Sequence, residues 1–212
     1  QRSPDHPGAQ TLMTYLAHGL RLQGRDTEAT QLEYELVQRY PDHPFISTLT
    51  INVADHQFAT RDFAGAEVSY VRAADSQNPQ TRRYAQFMLT FVYYAHRQFE
   101  KTLDQGLTLH EDVVQQPEQY SVYGPELLRV LILAAAHLPD GPRAIRSYLR
   151  VLGGPMLERD YLPLLAYCLS ELRKPAAAAH QYSTLVNWIR GTDSEWERAR
   201  WWAAYAENTR AA

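Results

Sequence analysis

The sequence contains almost no cysteine and almost no lysine. Cys168 is the only cysteine among the 212 residues, which excludes disulfide bonds within the chain and zinc sites built from cysteines. It lies in the apolar segment 164–169, where a cysteine usually acts as a small buried hydrophobic residue. Lys101 and Lys174 are the only lysines, and arginine supplies the other basic side chains. We therefore predict that Cys168 is buried and has no catalytic role.

Long apolar runs and an excess of one charge are also missing. The longest apolar run, from Val130 to Ala136, is far shorter than the ~20 residues that a membrane-spanning helix needs. The net charge is −3, and residues of opposite charge are interspersed along the chain. Proteins that bind the phosphate backbone of nucleic acids usually carry a basic patch. We predict no membrane span and no nucleic-acid partner.

Sequence motifs of catalysis and metal binding are absent. There is no phosphate-binding Gly-x-x-x-x-Gly-Lys loop, no Gly-x-Ser-x-Gly turn and no His-Glu-x-x-His pair. The run His110–Asp112 holds three metal-ligating residue types, but consecutive side chains on a helix diverge by ~100° and cannot close on one ion. The pairs Glu33 with Glu35 and Glu195 with Glu197 lie in polar helical surroundings and are predicted to be solvated. We predict a protein without metal, cofactor or enzymatic activity.

Apolar residues recur every three or four positions along the chain, which predicts helices. Phe63, Ala66, Tyr70 and Ala73 illustrate the pattern, because they share one helical face before the sequence reaches Pro79. No segment alternates with a period of two for long enough to form a strand. The sequence predicts an all-α chain with eleven helices at about 8–23, 26–40, 45–59, 62–76, 80–96, 98–114, 122–138, 141–152, 157–172, 175–190 and 193–210.

Small residues recur at a nearly constant spacing early in every second helix. The spacings are 37, 36, 42 and 34 residues between Ala29, Ala66, Thr102, Ala144 and Ala178. A helical hairpin of this length, with a small residue facing its neighbour and a proline near its end, resembles the tetratricopeptide repeat. Four positions after the small residue this family prefers an aromatic side chain, and the sequence departs from that preference at Glu33 and Gly106.

The resemblance implies one domain, residues 1–212, in which five antiparallel helix pairs and a C-terminal capping helix stack into a right-handed superhelix, an α-solenoid. A non-repetitive helical bundle is the alternative. The implied repeats cover residues 10–43, 45–79, 80–117, 120–155 and 157–190, and the capping helix covers 193–210.

In tetratricopeptide-repeat proteins the first helices of the pairs line a concave groove that binds peptides or other proteins. The resemblance therefore implies an adaptor or scaffold without catalytic function. Clamping of a C-terminal carboxylate, as in some members, is not expected because no lysine falls in the groove. The implied groove residues are Tyr15, His18, Arg21, Asn52, Asp55, Tyr84, Phe91, Tyr94, Glu126, Arg129 and Tyr167.

The last helix carries an unusual number of aromatic residues. We predict that one face packs inward on the array and that Trp201 and Tyr205 form a second aromatic pair on another face. Such a pair is a candidate surface for a partner or for self-association through the C-terminal helix. The predicted inward face consists of Trp196, Ala199, Trp202, Ala203 and Ala206.

Two other functions and two locations are compatible with the sequence. The chain could be an accessory subunit that binds a glycan or another small ligand at the tyrosine-rich third repeat, or an enzyme whose site is built from the turns between helices. The segment Arg39–Pro44 resembles repeat ends of bacterial extracytoplasmic members of the family. It slightly favours a periplasmic location, and a cytoplasmic location is equally compatible.

Overall fold

The computed structural model describes residues 8–189 and 195–212, and within them the chain is all-α, as predicted. No strand is present in these residues, and none of their helices is both long and apolar enough to cross a membrane. The described helices are α1 (Ala9–Leu22), α2 (Asp26–Arg39), α3 (Ile46–Ala59), α4 (Phe63–Ala74), α5 (Pro79–Ala95), α6 (Phe99–Val114), α7 (Pro117–His137), α8 (Gly141–Glu171), α9 (Pro175–Ile189) and α10 (Glu195–Ala211).

The helices fall into two compact units that are divided in the sequence between Gln98 and Phe99. In unit 1, each helix from α1 to α5 packs against the next one, and α3 also contacts α5. In unit 2, the same sequential packing joins α6 to α10. The division places α5 and α6, which we predicted to form the third hairpin, in different units. The single domain of 212 residues and the superhelix stay predictions.

Two prolines that were expected to close hairpins instead begin helices. Pro79 and Pro117 are the first residues of α5 and α7, where their fixed φ and missing N–H cost nothing. At α5 the preceding Asn78 caps the helix, since its side-chain oxygen accepts hydrogen bonds from the backbone N–H groups of Gln80 (2.9 Å) and Thr81 (3.2 Å). As a result, α7 begins five residues before the predicted position 122.

The long helix α8 is broken at the predicted position. Gly153 and Gly154 leave the helical conformation, and Gly154 has φ 66° and ψ −162°, a combination that glycine alone adopts readily. The two halves of α8 on either side of the break correspond to the predicted helices 141–152 and 157–172. The prediction of two separate helices ending and restarting around Gly153-Gly154-Pro155 is therefore confirmed in position.

Four turns between helices share one backbone geometry. In each of them a residue adopts the left-handed conformation, with φ between 55° and 72°. The following N–H then donates to the carbonyl five residues earlier, which closes the end of the preceding helix. Only the first turn uses glycine, the usual residue for this conformation. The left-handed residues are Gly24, Arg61, Arg97 and Arg173.

These turns support the predicted repeat and locate its exception. The left-handed residues follow one another at 37, 36 and 76 residues, so one repeat lacks such a turn. That repeat contains the different connection between α7 and α8. Its predicted small residue, Ala144, is exposed, which corrects the predicted register. Gly141 makes the close contact instead, because an added Cβ there would lie 2.0 Å from the carbonyl oxygen of Ala135.

The small residues predicted for the other four hairpins are buried. Ala29, Ala66, Thr102 and Ala178 have no exposed surface. Around Ala66, the predicted face of α4 forms the centre of the unit 1 core, which also contains Ala54, Ala85, Leu89 and Val92. In unit 2, Cys168 is buried as predicted. Small residues thus let the helices approach closely, as the sequence pattern indicated.

Candidate partner-binding site

Four of the eleven predicted groove residues belong to one hydrogen-bonded network in unit 1. They are Arg21 on α1, Asn52 and Asp55 on α3, and Tyr84 on α5. All four are partly exposed, so the network reaches the surface. Two further residues that the resemblance did not assign to the groove hold them in place. We call the six residues the network face: Arg21, Glu33, Asn52, Asp55, Tyr70 and Tyr84.

Glu33 is the first centre of the network. Its Oε1 accepts hydrogen bonds from Arg21 Nε (3.1 Å) and from Asn52 Nδ2 (2.8 Å), and its Oε2 accepts a very short one from Arg21 Nη2. The hydrogen bond with Glu33 raises the pKa of Arg21 more than burial lowers it. The fork-like contact of a guanidinium with both carboxylate oxygens fixes the orientation of Arg21.

The prediction that Glu33 is a solvated carboxylate is wrong. Its side chain is only 3% exposed, and it occupies the position where the repeat family prefers an aromatic residue. The polar letters around it in the sequence suggested solvent, but its partners Arg21 and Asn52 lie 12 and 19 residues away on other helices. A buried carboxylate requires such partners, because leaving it unpaired costs several kcal/mol.

Asp55 is the second centre of the network. Its Oδ1 accepts hydrogen bonds from the hydroxyl groups of Tyr70 (2.5 Å) and Tyr84 (3.1 Å). Burial, followed by the hydrogen bond to Asp55, raises the pKa of Tyr70 far above its ordinary value, so Tyr70 remains a neutral donor. Tyr70 is fully buried, and it therefore anchors Asp55 to the core of unit 1.

The network carries an unbalanced charge. Arg21 supplies one positive charge, whereas Glu33 and Asp55 supply two negative charges, and the charge of Asp55 contributes to raising the pKa of Arg21. A third carboxylate, Asp26, lies 3.6 Å from the Arg21 guanidinium at the exposed side. The network face is consequently a negatively charged surface whose side chains are oriented before any partner arrives.

The other predicted groove residues of unit 1 lie outside this network. Tyr15 and His18 are exposed on α1. Phe91 and Tyr94 are partly buried on α5, and the ring of Phe91 packs on that of Phe87 with 4.9 Å between centroids. These side chains have no described hydrogen bond to the network face.

The predicted groove residues of unit 2 are exposed. Glu126 and Arg129 lie on α7 and face each other across 3.7 Å, a surface ion pair of small energetic weight. Tyr167 lies on the second half of α8, at the edge of a cavity of about 550 Å³ between α8, α9 and α10. The cavity also has polar walls, among them Ser170 and Asn208.

The prediction for the faces of the last helix is partly wrong. Trp201 turns inward and stacks on Tyr182, with 5.8 Å between ring centroids. Trp202, which we expected to face inward, is 44% exposed and contacts Tyr205 edge to face at 5.5 Å. The buried residue that orients the helix is polar, because Asn208 accepts a hydrogen bond from Ser170 Oγ (3.1 Å). The side chain of Trp196 is outside the described residues, and partner binding by Trp201 and Tyr205 stays a prediction.

Comparison with known proteins adds no assignment. The chain matches no protein-family model, and no curated protein is significantly similar to it in sequence. Conclusions about what this protein binds therefore come from its own geometry.

A second buried ionic cluster lies in unit 2 and was missed in the sequence. Glu158 is fully buried after the break in α8, and its Oε1 accepts a hydrogen bond from Arg146 Nε (2.7 Å). Its Oε2 accepts a short hydrogen bond from Arg150 Nε, while Arg146 Nη1 donates to Gln181 Oε1 (2.9 Å). The break brings the two halves of α8 together, and only the folded chain shows that these residues meet.

His110 is the most deeply buried titratable side chain of unit 2 besides Glu158. Its Nδ1 lies 2.8 Å from the Tyr148 hydroxyl, and its Nε2 has no hydrogen-bond partner. Burial lowers the pKa of His110 to about 4. Tyr120 contacts the ring edge to face at 5.8 Å. Within the described residues no group of histidine, cysteine or carboxylate side chains is arranged to hold a metal ion, and the neighbouring Glu111 is exposed.

Proposed function

We propose that this protein is a helical-repeat binding module of tetratricopeptide type, an adaptor that holds a segment of another protein against the network face. The observation that carries the proposal is the network itself. It fixes four partly exposed polar side chains from three helices, α1, α3 and α5, in one orientation. A surface that is ordered before binding limits the entropy that is lost when a partner docks.

The charge of the network face favours a particular kind of segment. Two carboxylates face one guanidinium, and Asp26 adds a further negative charge at the exposed side. We propose an extended segment that brings a basic side chain to Asp55 and backbone N–H groups to the remaining oxygen atoms. Binding should then weaken with ionic strength, because exposed charge pairs are screened by salt.

The repeated turns support the proposal that the hairpins belong to one right-handed superhelix. Three of four intervals between left-handed turn residues fit a unit of 36 to 38 residues if the longest is counted as two units. In such an array α1, α3 and α5 are successive first helices, which is the face that tetratricopeptide-repeat proteins use for binding.

Selection of peptides from a random library tests the proposal. We expect the chain to select peptides that carry a basic residue and to bind them at least tenfold more weakly when Asp55→Asn removes the charge. The matched control is Asp75→Asn, which changes an exposed carboxylate at the end of α4 that takes no part in the network. If no peptide is selected, or if both variants bind equally well, the network face is not the binding site.

The cavity between α8, α9 and α10 favours the alternative function, binding of a small ligand. Its volume of about 550 Å³ lies in the range of small-molecule sites, and its polar floor is formed by Tyr182, Ser170 and Asn208. A thermal-shift screen of sugars and amines tests this alternative. A compound that stabilises the protein but not an Asn208→Leu variant would move the functional site from unit 1 to this cavity.

A further inference from the structure

The first two hairpins of unit 1 superimpose in sequence with a constant offset of 37 residues. The left-handed turn residues Gly24 and Arg61 are related by this offset. The same offset relates two pairs of small residues that have at most 1% of their surface exposed: Ala17 with Ala54, and Ala29 with Ala66. Because three independent landmarks agree, residues of α1 can be matched one by one with residues of α3.

The match identifies a difference in burial between equivalent leucine and valine positions. Leu12 and Leu16 of α1 correspond to Leu49 and Val53 of α3. The α3 residues are 4% and 2% exposed, whereas Leu12 and Leu16 are 56% and 54% exposed. The same type of side chain is thus covered in the second hairpin and uncovered in the first.

The helix that covers this face in the second hairpin is α2. Leu49 belongs to one buried cluster with Leu36 and Val37, two adjacent residues of α2. No described helix precedes α1, so nothing in the described part of the chain takes the place of α2 there. The face also includes Tyr15, which is 71% exposed, and Gly19, around which no atom lies within 4 Å of an added Cβ. We call Leu12, Tyr15, Leu16 and Gly19 the outer face of α1.

We propose that the outer face of α1 docks an amphipathic helix of a partner protein whose apolar seam has the chemistry of α2, an adjacent leucine and valine pair. The spacing of three and four residues along the outer face forms one stripe of a helix, and Gly19 lets a second backbone approach. Residues 1–7 contain no Leu, Ile, Val, Met or Phe and do not provide such a seam. The α2–α3 contact shows that a helix with a Leu36-Val37 pair fits a face of this kind.

A synthetic helix provides the probe. The peptide has the sequence of residues 26–40, carries a fluorophore, and is held helical by a side-chain staple between positions 27 and 31, which are exposed in the protein. We expect saturable binding to the full chain. The double substitution Leu12→Ser with Leu16→Ser should weaken binding at least tenfold, and a peptide with Leu36→Ser and Val37→Ser should not bind.

The matched control for the protein is Leu22→Ser. Leu22 is 77% exposed on the same helix, but its equivalent one repeat later, Ala59, is also exposed, so this position is not part of the covered face. We expect Leu22→Ser to leave peptide binding unchanged within twofold. Asp55→Asn should also leave it unchanged, which separates this proposal from the function proposed for the network face.

Several results would overturn the proposal. One is the absence of saturable binding, and another is binding that survives in the Leu12 and Leu16 variant, as expected if the peptide replaced α2 within the protein. Sedimentation measurements supply the third. If the chain forms a dimer that the same double substitution abolishes and the peptide does not disrupt, the occupant of the face is a second copy of the chain.

Discussion

Replacing Arg61 or Arg173 with glycine should stabilise the protein. Both arginines adopt the left-handed conformation at the end of a helix, with φ of 64° and 55°. In this conformation the Cβ of an ordinary residue lies too close to the backbone carbonyl oxygen. Both side chains are exposed and have no described ion pair, so their removal sacrifices no contact that would offset the gain.

The expected gain follows from two opposing terms. The left-handed conformation costs a residue with a Cβ about 1–2 kcal/mol, and glycine relieves this cost. Glycine also makes the unfolded chain more flexible, which costs about 0.5–1 kcal/mol. The difference predicts an increase of about 0.5–1 kcal/mol in the free energy of unfolding for each replacement. The reverse change, Gly24→Ala, should lower it by about 1 kcal/mol, because Gly24 has φ 72°.

Urea unfolding with two spectroscopic probes provides the measurement. All four tryptophans lie in residues 188–202, within unit 2, so their fluorescence reports on Arg173→Gly. Far-ultraviolet circular dichroism reports on both units and is the probe for Arg61→Gly. The matched control is Arg129→Gly, an exposed arginine in the middle of α7, where glycine should destabilise by about 0.7–1 kcal/mol.

The sign of the effect decides the outcome. If Arg173→Gly destabilises the protein as much as Arg129→Gly does, the left-handed turn contributes no strain and the argument from backbone geometry is wrong. A gain at Arg173 together with a loss at Arg129 has no explanation in composition alone, because both variants lose one arginine and gain one glycine.

Three further predictions concern buried groups of unit 2. Burial lowers the pKa of His110 to about 4, so the unfolded chain binds the proton first: stability should be complete above pH 6.5 and fall by up to about 3 kcal/mol as the pH drops towards 4, a dependence that His110→Gln should remove in pH-dependent urea unfolding. Glu158→Gln should lower the free energy of unfolding by about 2–4 kcal/mol, measured by tryptophan fluorescence, since it leaves two arginines without their carboxylate; an unchanged midpoint would mean that water compensates them. Lys174→Met should lower the melting temperature, because the Lys174 ammonium group donates hydrogen bonds to the last carbonyl groups of α7, those of Ala136 (2.8 Å) and His137 (2.9 Å); a cost below about 0.5 kcal/mol would show that water replaces the lysine there.

The helical architecture was accessible from the sequence because it depends on local patterns. The period of apolar residues, the glycines and the prolines place nearly every helix, including the break at Gly153 and Gly154. Errors arose where one residue type has two structural meanings. A proline both stops one helix and starts the next, so Pro117 was assigned to the end of a hairpin although it begins α7.

The candidate site was only half accessible, because its contacts join distant parts of the chain. The repeat register correctly brought Arg21, Asn52, Asp55 and Tyr84 to one surface, since each position follows from helical spacing. It did not reveal that Glu33 is buried at their centre. A glutamate has the same letter in the sequence whether water or a guanidinium neutralises it, and the departure from the family's aromatic preference was the one signal that marked this position.

The arginines in the helix-ending turns also bear on how the sequence can change. Every arginine codon differs from a glycine codon in its first base only, so Arg61, Arg97 and Arg173 are each a single nucleotide away from the residue that fits their backbone conformation best. Natural proteins carry such unused gains because selection requires only sufficient stability. A laboratory population evolved for resistance to heat should therefore acquire glycine at these three turns among its first substitutions.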